Sequence, residues 1–265
     1  MSMIQKIKRL LWLNKFIIFN KNNWLRNYML NTKKFKKLSE GELYGDTEDL
    51  VDNLFTLADS RLKQATTNTP FNNQKTRTEI VDNILNNEKF DEIIETGTLL
   101  GNTTEYFANK DIPVTSVEIS ELYFLISKIR FLDKKNVNLI NSDSSNFLFN
   151  LKPSKRKIFF YLDAHSQDFI PLQKEISHCL KFENSIILID DFKVPENETF
   201  GYDTYDSVEL SIENYDQLLN HDLYFPSYDA KKDFNTRGYV LIDISGSYNN
   251  LLSNEKNLLR YKKTD

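Results

Sequence analysis

The feature that most constrains the fold is a regular alternation of short apolar runs and helical patterns between residues 90 and 192. Each run is bounded by polar or glycine-containing turns, which is typical of buried strands. Strands that alternate with helices are joined by right-handed crossovers and lie parallel in one sheet. The expected strands are residues 90–97, 113–120, 137–143, 157–164 and 185–192, and the expected helices between them are residues 102–110, 120–132, 144–151 and 171–182.

The last part of the chain predicts a helix over residues 207–220 and two more strands, residues 223–230 and 237–245. Only a short polar segment separates these two strands, so they are expected to pair antiparallel. The sequence therefore predicts an α/β fold, a Rossmann-like doubly wound sheet of seven strands that is mostly parallel with an antiparallel last strand. We assign this domain to residues 70–265, with a helical N-terminal arm over residues 1–69.

The N-terminal arm has a charge that differs from the rest of the chain. Ten of the 34 Lys and Arg residues, but only one of the 38 acids, lie in residues 1–40, among bulky apolar side chains. Two interpretations stay open for residues 1–40: an amphipathic helix at the inner face of a membrane, or a packing arm that supports a homo-oligomer. The acidic remainder does not favour a nucleic-acid partner.

The compartment is predicted from cysteine use and hydropathy. The chain has one cysteine, Cys179, which excludes an internal disulfide framework and fits a reducing environment. No run approaches the roughly 18 apolar residues that span a bilayer, and the first residues lack a signal-peptide cleavage pattern. The expected location is cytoplasmic, with peripheral membrane contact left open.

A glycine-containing turn follows the first expected strand. Gly97 and Gly101 allow a tight turn and close approach of a ligand, and the following helix amides can donate hydrogen bonds to it. The turn has neither the GxGxxG pattern nor a phosphate-binding lysine, which disfavours a dinucleotide or nucleoside triphosphate. The residues predicted to bind a ligand here are Glu95, Thr96, Gly97, Thr98, Gly101, Asn102, Thr103 and Thr104.

Polar residues also end the next two strands. Glu118 ends the second strand, where a carboxylate can accept both hydroxyls of a ribose. Asp143 and Ser144 follow the third strand, where they can meet the exocyclic amine and a ring nitrogen of adenine; alternatively they cap the next helix. The succession of Glu118, Asp143 and Ser144 after the glycine turn favours an adenosine-containing ligand.

Three aspartates end the fourth and fifth expected strands: Asp163, Asp190 and Asp191. Adjacent strands lie about 4.8 Å apart, so these carboxylates are expected to converge and to repel one another unless a cation lies between them. Oxygen ligands suit Mg²⁺, Mn²⁺ or Ca²⁺, and His165 extends the choice to Fe²⁺. Helix capping or pairing with Lys or Arg is the structural alternative for these acids.

The motifs in this order resemble the class I S-adenosylmethionine-dependent methyltransferases. The resemblance covers about residues 70–245 and is specific to a subgroup found beside sugar and polysaccharide biosynthesis enzymes, with departures at Ser166 and at Glu196–Asn197. It implies S-adenosylmethionine as the methyl donor and a divalent cation held by Asp163, Asp190 and Asp191. A lysine that serves as base in similar catechol enzymes is replaced by Ser166, which leaves Asp163 or His165 as the catalytic base.

The resemblance implies a metal-dependent O-methyltransferase whose acceptor is a hydroxyl of a sugar, such as a nucleotide-linked sugar or a surface-glycan intermediate. The irregular residues 193–207, which include Tyr202 and Tyr205, are the expected substrate loop, with a packed surface loop as the alternative. Two alternatives stay open: a methyltransferase for a phenolic or catechol-type small molecule, and a non-catalytic adenosine-binding module within a biosynthetic complex.

Overall fold

A computed structural model describes residues 70–131, 133–165, 170–233 and 235–261. The predicted arm at residues 1–69, with its membrane and oligomer alternatives, lies outside the described residues, and so does Ser166. Among the helices described, none combines the length and the apolar character that crossing a bilayer requires.

The described helices and strands follow the predicted alternation. The helices are α1 (Lys75–Asn87), α2 (Asn102–Ala108), α3 (Glu121–Arg130), α4 (Ser144–Asn150), α5 (Leu172–Cys179) and α6 (Asn249–Ser253). The strands are β1 (Glu92–Thr96), β2 (Val114–Glu118), β3 (Val137–Asn141), β4 (Ile158–Leu162), β5 (Ile186–Asp190), β6 (Thr204–Tyr205), β7 (Val208–Glu209), β8 (Asp222–Pro226), β9 (Tyr239–Asp243) and β10 (Leu258–Arg260). Short 3₁₀ turns cover Phe71–Asn73, Asp216–Asn220 and Ala230–Lys232.

Eight strands form one sheet in the order β10-β8-β9-β5-β4-β1-β2-β3. The five strands β1 to β5 are parallel, whereas β9 runs antiparallel to both β5 and β8. This confirms the predicted mostly parallel α/β sheet and the antiparallel pairing of its last two predicted strands. The strand β10, which pairs antiparallel with β8, adds an eighth strand to the seven predicted.

The helix predicted over residues 207–220 is wrong for most of its length. Asp206 and Ser207 both have positive φ, and they form the two-residue turn of a hairpin between β6 and β7. The Leu210 amide donates to the Asp203 carbonyl, and the Leu210 carbonyl accepts from the Lys193 amide. Because both backbone groups of Leu210 bond to other segments, they do not form helical hydrogen bonds. Only Asp216–Asn220 form a helical turn.

The core of the sheet lies in its central strands. All five residues of β4, of β5 and of β9 are buried, and these strands are almost continuous apolar runs, as expected where helices or loops cover both faces. The chain order reverses between β1 and β4, which lie side by side. In such sheets the ligand crevice lies beyond the carboxyl ends of the strands at this reversal.

Candidate functional site

A cleft of about 420 Å³ opens at the carboxyl ends of β1, β2, β3 and β4. The predicted residues Gly97, Glu118, Ser144, Asp163 and His165 all line it. Its volume is that of a small-molecule pocket. The structure therefore brings together at least one predicted residue from the end of each of these four strands, whereas the predicted residues at the end of β5, Asp190 and Asp191, do not line the cleft.

Gly97 lies in the cleft where the loop that follows β1 closely approaches the loop that follows β4. It has φ of +84°, and a Cβ added to it would collide with the carbonyl of Asp163. A side chain is therefore excluded here both by conformation and by space. Gly101, with φ of +74°, begins α2 against the ring of Phe131, so it shapes the same turn without lining the cleft.

Glu118 is held at the edge of the cleft by two backbone amides. One carboxylate oxygen accepts from Leu99 N at 2.7 Å, and the other accepts from Ser120 N at 2.8 Å. A carboxylate has about four acceptor positions, so each oxygen keeps capacity for a ligand hydroxyl. The geometry is compatible with the predicted recognition of a ribose by Glu118.

Glu95 lies behind the cleft rather than in it. Its Oε2 accepts from the hydroxyls of Thr104 and Ser116, the latter at 2.6 Å, and its side chain is buried. Burial raises the pKa of Glu95 to about 7, although these hydroxyl donors act in the opposite direction. Glu95 and Thr104 thus connect β1 with α2 and β2.

The other predicted residues of the turn also contact protein groups. Thr96 accepts at its carbonyl from Asp163 N, and the Thr98 hydroxyl is 2.6 Å from that of Ser116. Asn102 accepts from Arg130 at 2.8 Å. The Thr103 hydroxyl lies 3.5 Å from Phe71 N. Thr96, Thr98, Asn102 and Thr103 do not line the cleft, so they act by shaping the loop that does.

Asp143 caps α4. Its Oδ1 accepts from Asn146 N at 2.9 Å and from the Ser145 hydroxyl at 2.6 Å, and the carboxylate does not line the cleft. These bonds lower the pKa of Asp143 despite the opposing effect of partial burial. The geometry is that of the helix-capping alternative, whereas the neighbouring Ser144 does face the cleft.

Five apolar or aromatic residues of the cleft were not predicted: Leu99, Val117, Ile119, Tyr123 and Ala164. Leu99 and Ile119 are 54% and 51% exposed, which is high for large aliphatic side chains beside a sheet core. They provide apolar surface on which a nucleobase can lie. The position of Ile119 directly after Glu118 is the sequence signal that could have identified it.

A charged cluster adjoins the cleft at the ends of β4 and β5. Asp163, His165 and Asp191 each offer one ligand atom, and these atoms lie within 4.8 Å of one another; the described residues contain no other such group of three. His165 Nε2 is 3.8 Å from Asp163 Oδ1 and 3.5 Å from Asp191 Oδ2, too far for direct hydrogen bonds. We call these three residues the acid–histidine cluster.

Electrostatics of the acid–histidine cluster follow from its burial. Desolvation raises the pKa of Asp163 and of Asp191, and the nearby charge of Asp190 adds to this effect. Desolvation alone would lower the pKa of His165, but the surrounding carboxylates raise it to about 9. The histidine is therefore protonated at neutral pH in the cation-free protein, and it partly neutralises the two acids.

The acid–histidine cluster has the features of a cation site. Both ring nitrogens of His165 are buried without a hydrogen-bond partner among the described residues, and Asp191 Oδ1, also without one, has an ion-pair contact with Arg237. Buried polar atoms are normally satisfied, so these atoms fit an absent partner. Two carboxylates and one imidazole suit Mn²⁺ or Fe²⁺, with Mg²⁺ favoured less because of the nitrogen ligand.

Asp190 is not part of this cluster, although the sequence placed it among the three convergent aspartates. It is fully buried and forms an ion pair with Arg77, whose Nη1 lies 2.6 Å from Asp190 Oδ1. Desolvation would raise the pKa of Asp190, but Arg77 and the hydrogen-bond donors around it lower the value. The structure thus brings His165, rather than Asp190, together with Asp163 and Asp191.

The expected substrate loop forms the rim beside the acid–histidine cluster. Arg237 Nε is 3.5 Å from Asp191 Oδ1, and its guanidinium also contacts Asp203. The rings of His165 and Tyr205 lie 5.8 Å apart, whereas the Tyr202 hydroxyl donates to Glu209 at 2.9 Å. Tyr205 is therefore nearer the cluster than Tyr202.

Comparisons with known proteins support the fold. No family model and no curated protein matches the sequence. Cofactor-bound Rv0187 from MTB has 13% identity and a TM-score of 0.51, covering 79% of this chain and 95% of that one. A putative O-methyltransferase from Klebsiella pneumoniae has 14% identity and a TM-score of 0.49, with coverages of 80% and 96%.

The O-methyltransferase from Bacillus cereus in complex with SAH is a further similar structure. It has 16% identity and a TM-score of 0.46, and the match covers 80% of this chain and 97% of that one. At these identities the similarity concerns the fold alone. The chain has the Rossmann-like α/β fold that it shares with cofactor-bound Rv0187, over most of the length of both proteins.

Proposed function

We propose that this chain is an S-adenosylmethionine-dependent O-methyltransferase that requires a divalent cation and acts on a hydroxyl of a sugar. One observation carries the proposal: the cleft that presents Glu118 also includes Asp163 and His165, two members of the acid–histidine cluster. A nucleoside-linked methyl donor in the cleft would therefore lie next to a cation bound by Asp163, His165 and Asp191.

Binding of the donor is assigned to residues of this chain. Glu118 accepts hydrogen bonds from the ribose hydroxyls, Leu99 and Ile119 contact the adenine, and the backbone of Gly97, which lines the cleft, borders the sulfonium end of the donor. Such a division between apolar walls and a few placed polar groups is usual for small-molecule sites.

Chemistry requires an acceptor hydroxyl in line with the sulfonium and a group that takes its proton. The hydroxyl oxygen attacks the methyl carbon, the carbon–sulfur bond breaks, and the products are a methyl ether and S-adenosylhomocysteine. A bound divalent cation supplies charge stabilisation for the developing alkoxide.

Asp163 is the proposed proton acceptor because it lines the cleft in which the methyl donor would lie. His165 is the weaker choice, since a ring nitrogen that binds the cation cannot also accept the proton. We therefore assign Asp163 a double role, as cation ligand and as base.

A sugar acceptor is supported by the resemblance in the motifs and by the composition of the rim. Tyr205, Asp203 and Arg237 offer an aromatic face, an acceptor and a donor beside the acid–histidine cluster. This combination suits a polyhydroxylated ligand. The same rim would also admit a phenol, and the acceptor screen below separates the two classes.

The test combines donor binding with an acceptor screen. Calorimetry is expected to show binding of S-adenosylhomocysteine, and labelled methyl groups from S-adenosylmethionine are expected to appear on a nucleotide sugar or glycan in the presence of Mn²⁺ or Mg²⁺. Chelator should abolish transfer, and the divalent ion should restore it. Absence of heat at millimolar ligand would contradict the donor assignment. Full turnover in the presence of chelator would contradict the cation requirement. Transfer only to catechols or other phenols would contradict the sugar assignment.

A further inference from the structure

Arg77 is a fully buried cation that does not line the cleft. It belongs to α1 and is stacked among aromatic rings, with its guanidinium carbon 4.9 Å from the centre of the Phe71 ring and 4.6 Å from that of Tyr239. Its Nη1 donates to Asp190 at 2.6 Å and to Gln74 Oε1 at 3.0 Å. The rings of Phe71 and Tyr239, together with the hydrogen bond to Gln74, leave the guanidinium little freedom to turn away from Asp190.

Asp190 is linked by hydrogen bonds to both acids of the acid–histidine cluster, directly to Asp191 and through Tyr161 to Asp163. Its Oδ1 accepts from Asp191 N at 2.7 Å as well as from Arg77. Its Oδ2 accepts from the Tyr161 hydroxyl at 2.6 Å, and the same hydroxyl lies 2.9 Å from Asp163 Oδ2. One buried carboxylate therefore contacts Asp191 through the backbone and reaches Asp163 through a tyrosine.

These contacts bear on the orientation of the two cluster acids. Asp191 has φ of +51°, a conformation that costs free energy for a residue with a side chain and needs surrounding contacts to persist. The bond from its amide to Asp190 is one such contact. Tyr161, which precedes Asp163 by two residues on β4, limits the rotation of the Asp163 carboxylate.

We propose that Arg77 is a positioning residue for the cation site: by holding Asp190, it fixes Asp163 and Asp191 in the geometry in which they can share an ion with His165. This inference rests on the proposed function, because it presumes that the cluster binds a cation. Arg77 itself touches neither the cleft nor the cluster, so its contribution passes through Asp190 and Tyr161. Groups that orient ligands in this way commonly contribute 10- to 100-fold in metal affinity.

The experiment compares Mn²⁺ affinity and S-adenosylhomocysteine affinity in wild type and four variants, both by calorimetry. Arg77→Met is expected to weaken Mn²⁺ binding by about tenfold or more. Arg77→Lys keeps the positive charge but lacks the planar guanidinium, so its Mn²⁺ affinity should lie between those of Arg77→Met and wild type. Affinity for S-adenosylhomocysteine should change by less than about twofold in each variant, which excludes a general loss of structure.

Two tyrosine variants keep the test decisive if Arg77→Met does not fold, since an unpaired buried Asp190 is costly. Tyr161→Phe removes only the hydroxyl between Asp190 and Asp163, and it is expected to weaken Mn²⁺ binding about threefold or more. Tyr248→Phe is the matched control, because its hydroxyl donates to the Asn184 carbonyl and lies in no contact with the cluster; Mn²⁺ affinity should stay at the wild-type value.

The outcomes distinguish the inference from the function on which it rests. Wild-type Mn²⁺ affinity in both Tyr161→Phe and Arg77→Lys would overturn the positioning role while leaving the cation site in place. Absence of Mn²⁺ binding to the wild type would overturn the proposed cation requirement, and the positioning role with it.

Discussion

The acids at the ends of β1 to β3 and those at the ends of β4 and β5 are held by different kinds of partner. Glu95, Glu118 and Asp143 accept hydrogen bonds from neutral amides and hydroxyls, and several of these donors lie within three residues of the acid along the chain. Asp190 and Asp191 instead face Arg77, His165 and Arg237, which come from distant segments.

Both sets of acids lie at the carboxyl ends of the parallel strands. We call the ends of β1 to β3 the neutral half of this sheet edge and the ends of β4 and β5 the charged half, and their different partners indicate what each half can bind. Neutral donors leave spare acceptor capacity on Glu118, which suits the hydroxyls of a neutral ribose. Near β4 and β5, one histidine and two arginines face four acids, Asp163, Asp190, Asp191 and Asp203, and an added divalent cation would offset the remaining negative charge. The neutral half is thus suited to a nucleoside and the charged half to an ion.

The largest expected effect concerns Gly97, where the two halves meet. Gly97→Ala should lower the free energy of unfolding by about 4 kcal/mol, because the new Cβ collides with the Asp163 carbonyl and the backbone has positive φ. Gly201→Ala is the control, since its Cβ would meet no atom closer than 3.8 Å. Denaturant unfolding measures both; equal stability of the two variants would contradict the close approach of the loops.

A pH-dependent effect is expected at Glu95. Its pKa of about 7, against 4.5 for an exposed glutamate, means that the folded protein keeps the proton while the unfolded chain releases it. Stability contributed by this group is therefore lost as pH rises from about 4.5 to about 7, by up to about 3 kcal/mol.

Glu95→Gln tests this sign, because glutamine retains an oxygen that can accept from Thr104 and Ser116. Relative to wild type, the variant is expected to gain stability between pH 5 and pH 8 in urea unfolding. Glu79→Gln, at an exposed position of α1, should show the wild-type pH dependence. A Glu95 variant that parallels wild type over this range would indicate that Glu95 is already ionised when folded.

A smaller effect, confined to the neutral half, is expected at Glu118. Glu118→Gln should weaken S-adenosylhomocysteine binding by about 10-fold to 30-fold, which corresponds to roughly 1.4–2 kcal/mol for hydrogen bonds to a charged acceptor. Mn²⁺ affinity, measured on the same samples, should stay within about twofold of wild type because Glu118 is not part of the acid–histidine cluster. Loss of both affinities together would show that the two halves are not separate.

The smallest effect is expected at Asp143, at the margin of the neutral half. Asp143→Ala should cost about 1 kcal/mol of stability by removing the cap of α4. Asp143→Asn keeps a capping oxygen and should be nearly as stable as wild type. Neither substitution should change the affinity for S-adenosylhomocysteine; a clear loss with Asp143→Asn would restore the adenine contact that the sequence suggested.

The sequence predicts the fold well, and it also indicates where Gly97 and Glu118 lie, because the determinants of both are local. Five apolar runs specify parallel strands, and Gly97 and Glu118 lie in the cleft because each directly follows or ends a strand. The capping role of Asp143 was equally visible as an alternative. The hairpin at Asp206 and Ser207 was missed because neither residue is a glycine, although both adopt positive φ.

The charged half is harder to predict because its contacts join distant residues. Arg77 and Asp190 are 113 positions apart, and nothing in their local sequence indicates that they pair. Adjacency of Asp190 and Asp191 suggests a shared role, yet Asp190 ends β5 whereas Asp191 lies beyond it with φ of +51°, and only Asp191 reaches His165. Long-range pairing thus decided which acid joins the cluster.

In the proposed function, the cleft binds a methyl donor and the acid–histidine cluster binds a cation next to it, with Asp163 and His165 at the boundary of the two sites. The most direct measurement is a calorimetric titration of Mn²⁺ into wild type and Asp191→Asn, each saturated with S-adenosylhomocysteine. We predict one Mn²⁺ per wild-type chain and an affinity lower by about 10-fold to 100-fold in the variant, with unchanged affinity for S-adenosylhomocysteine. Equal Mn²⁺ affinity in the two proteins, or no Mn²⁺ binding to wild type, would contradict it.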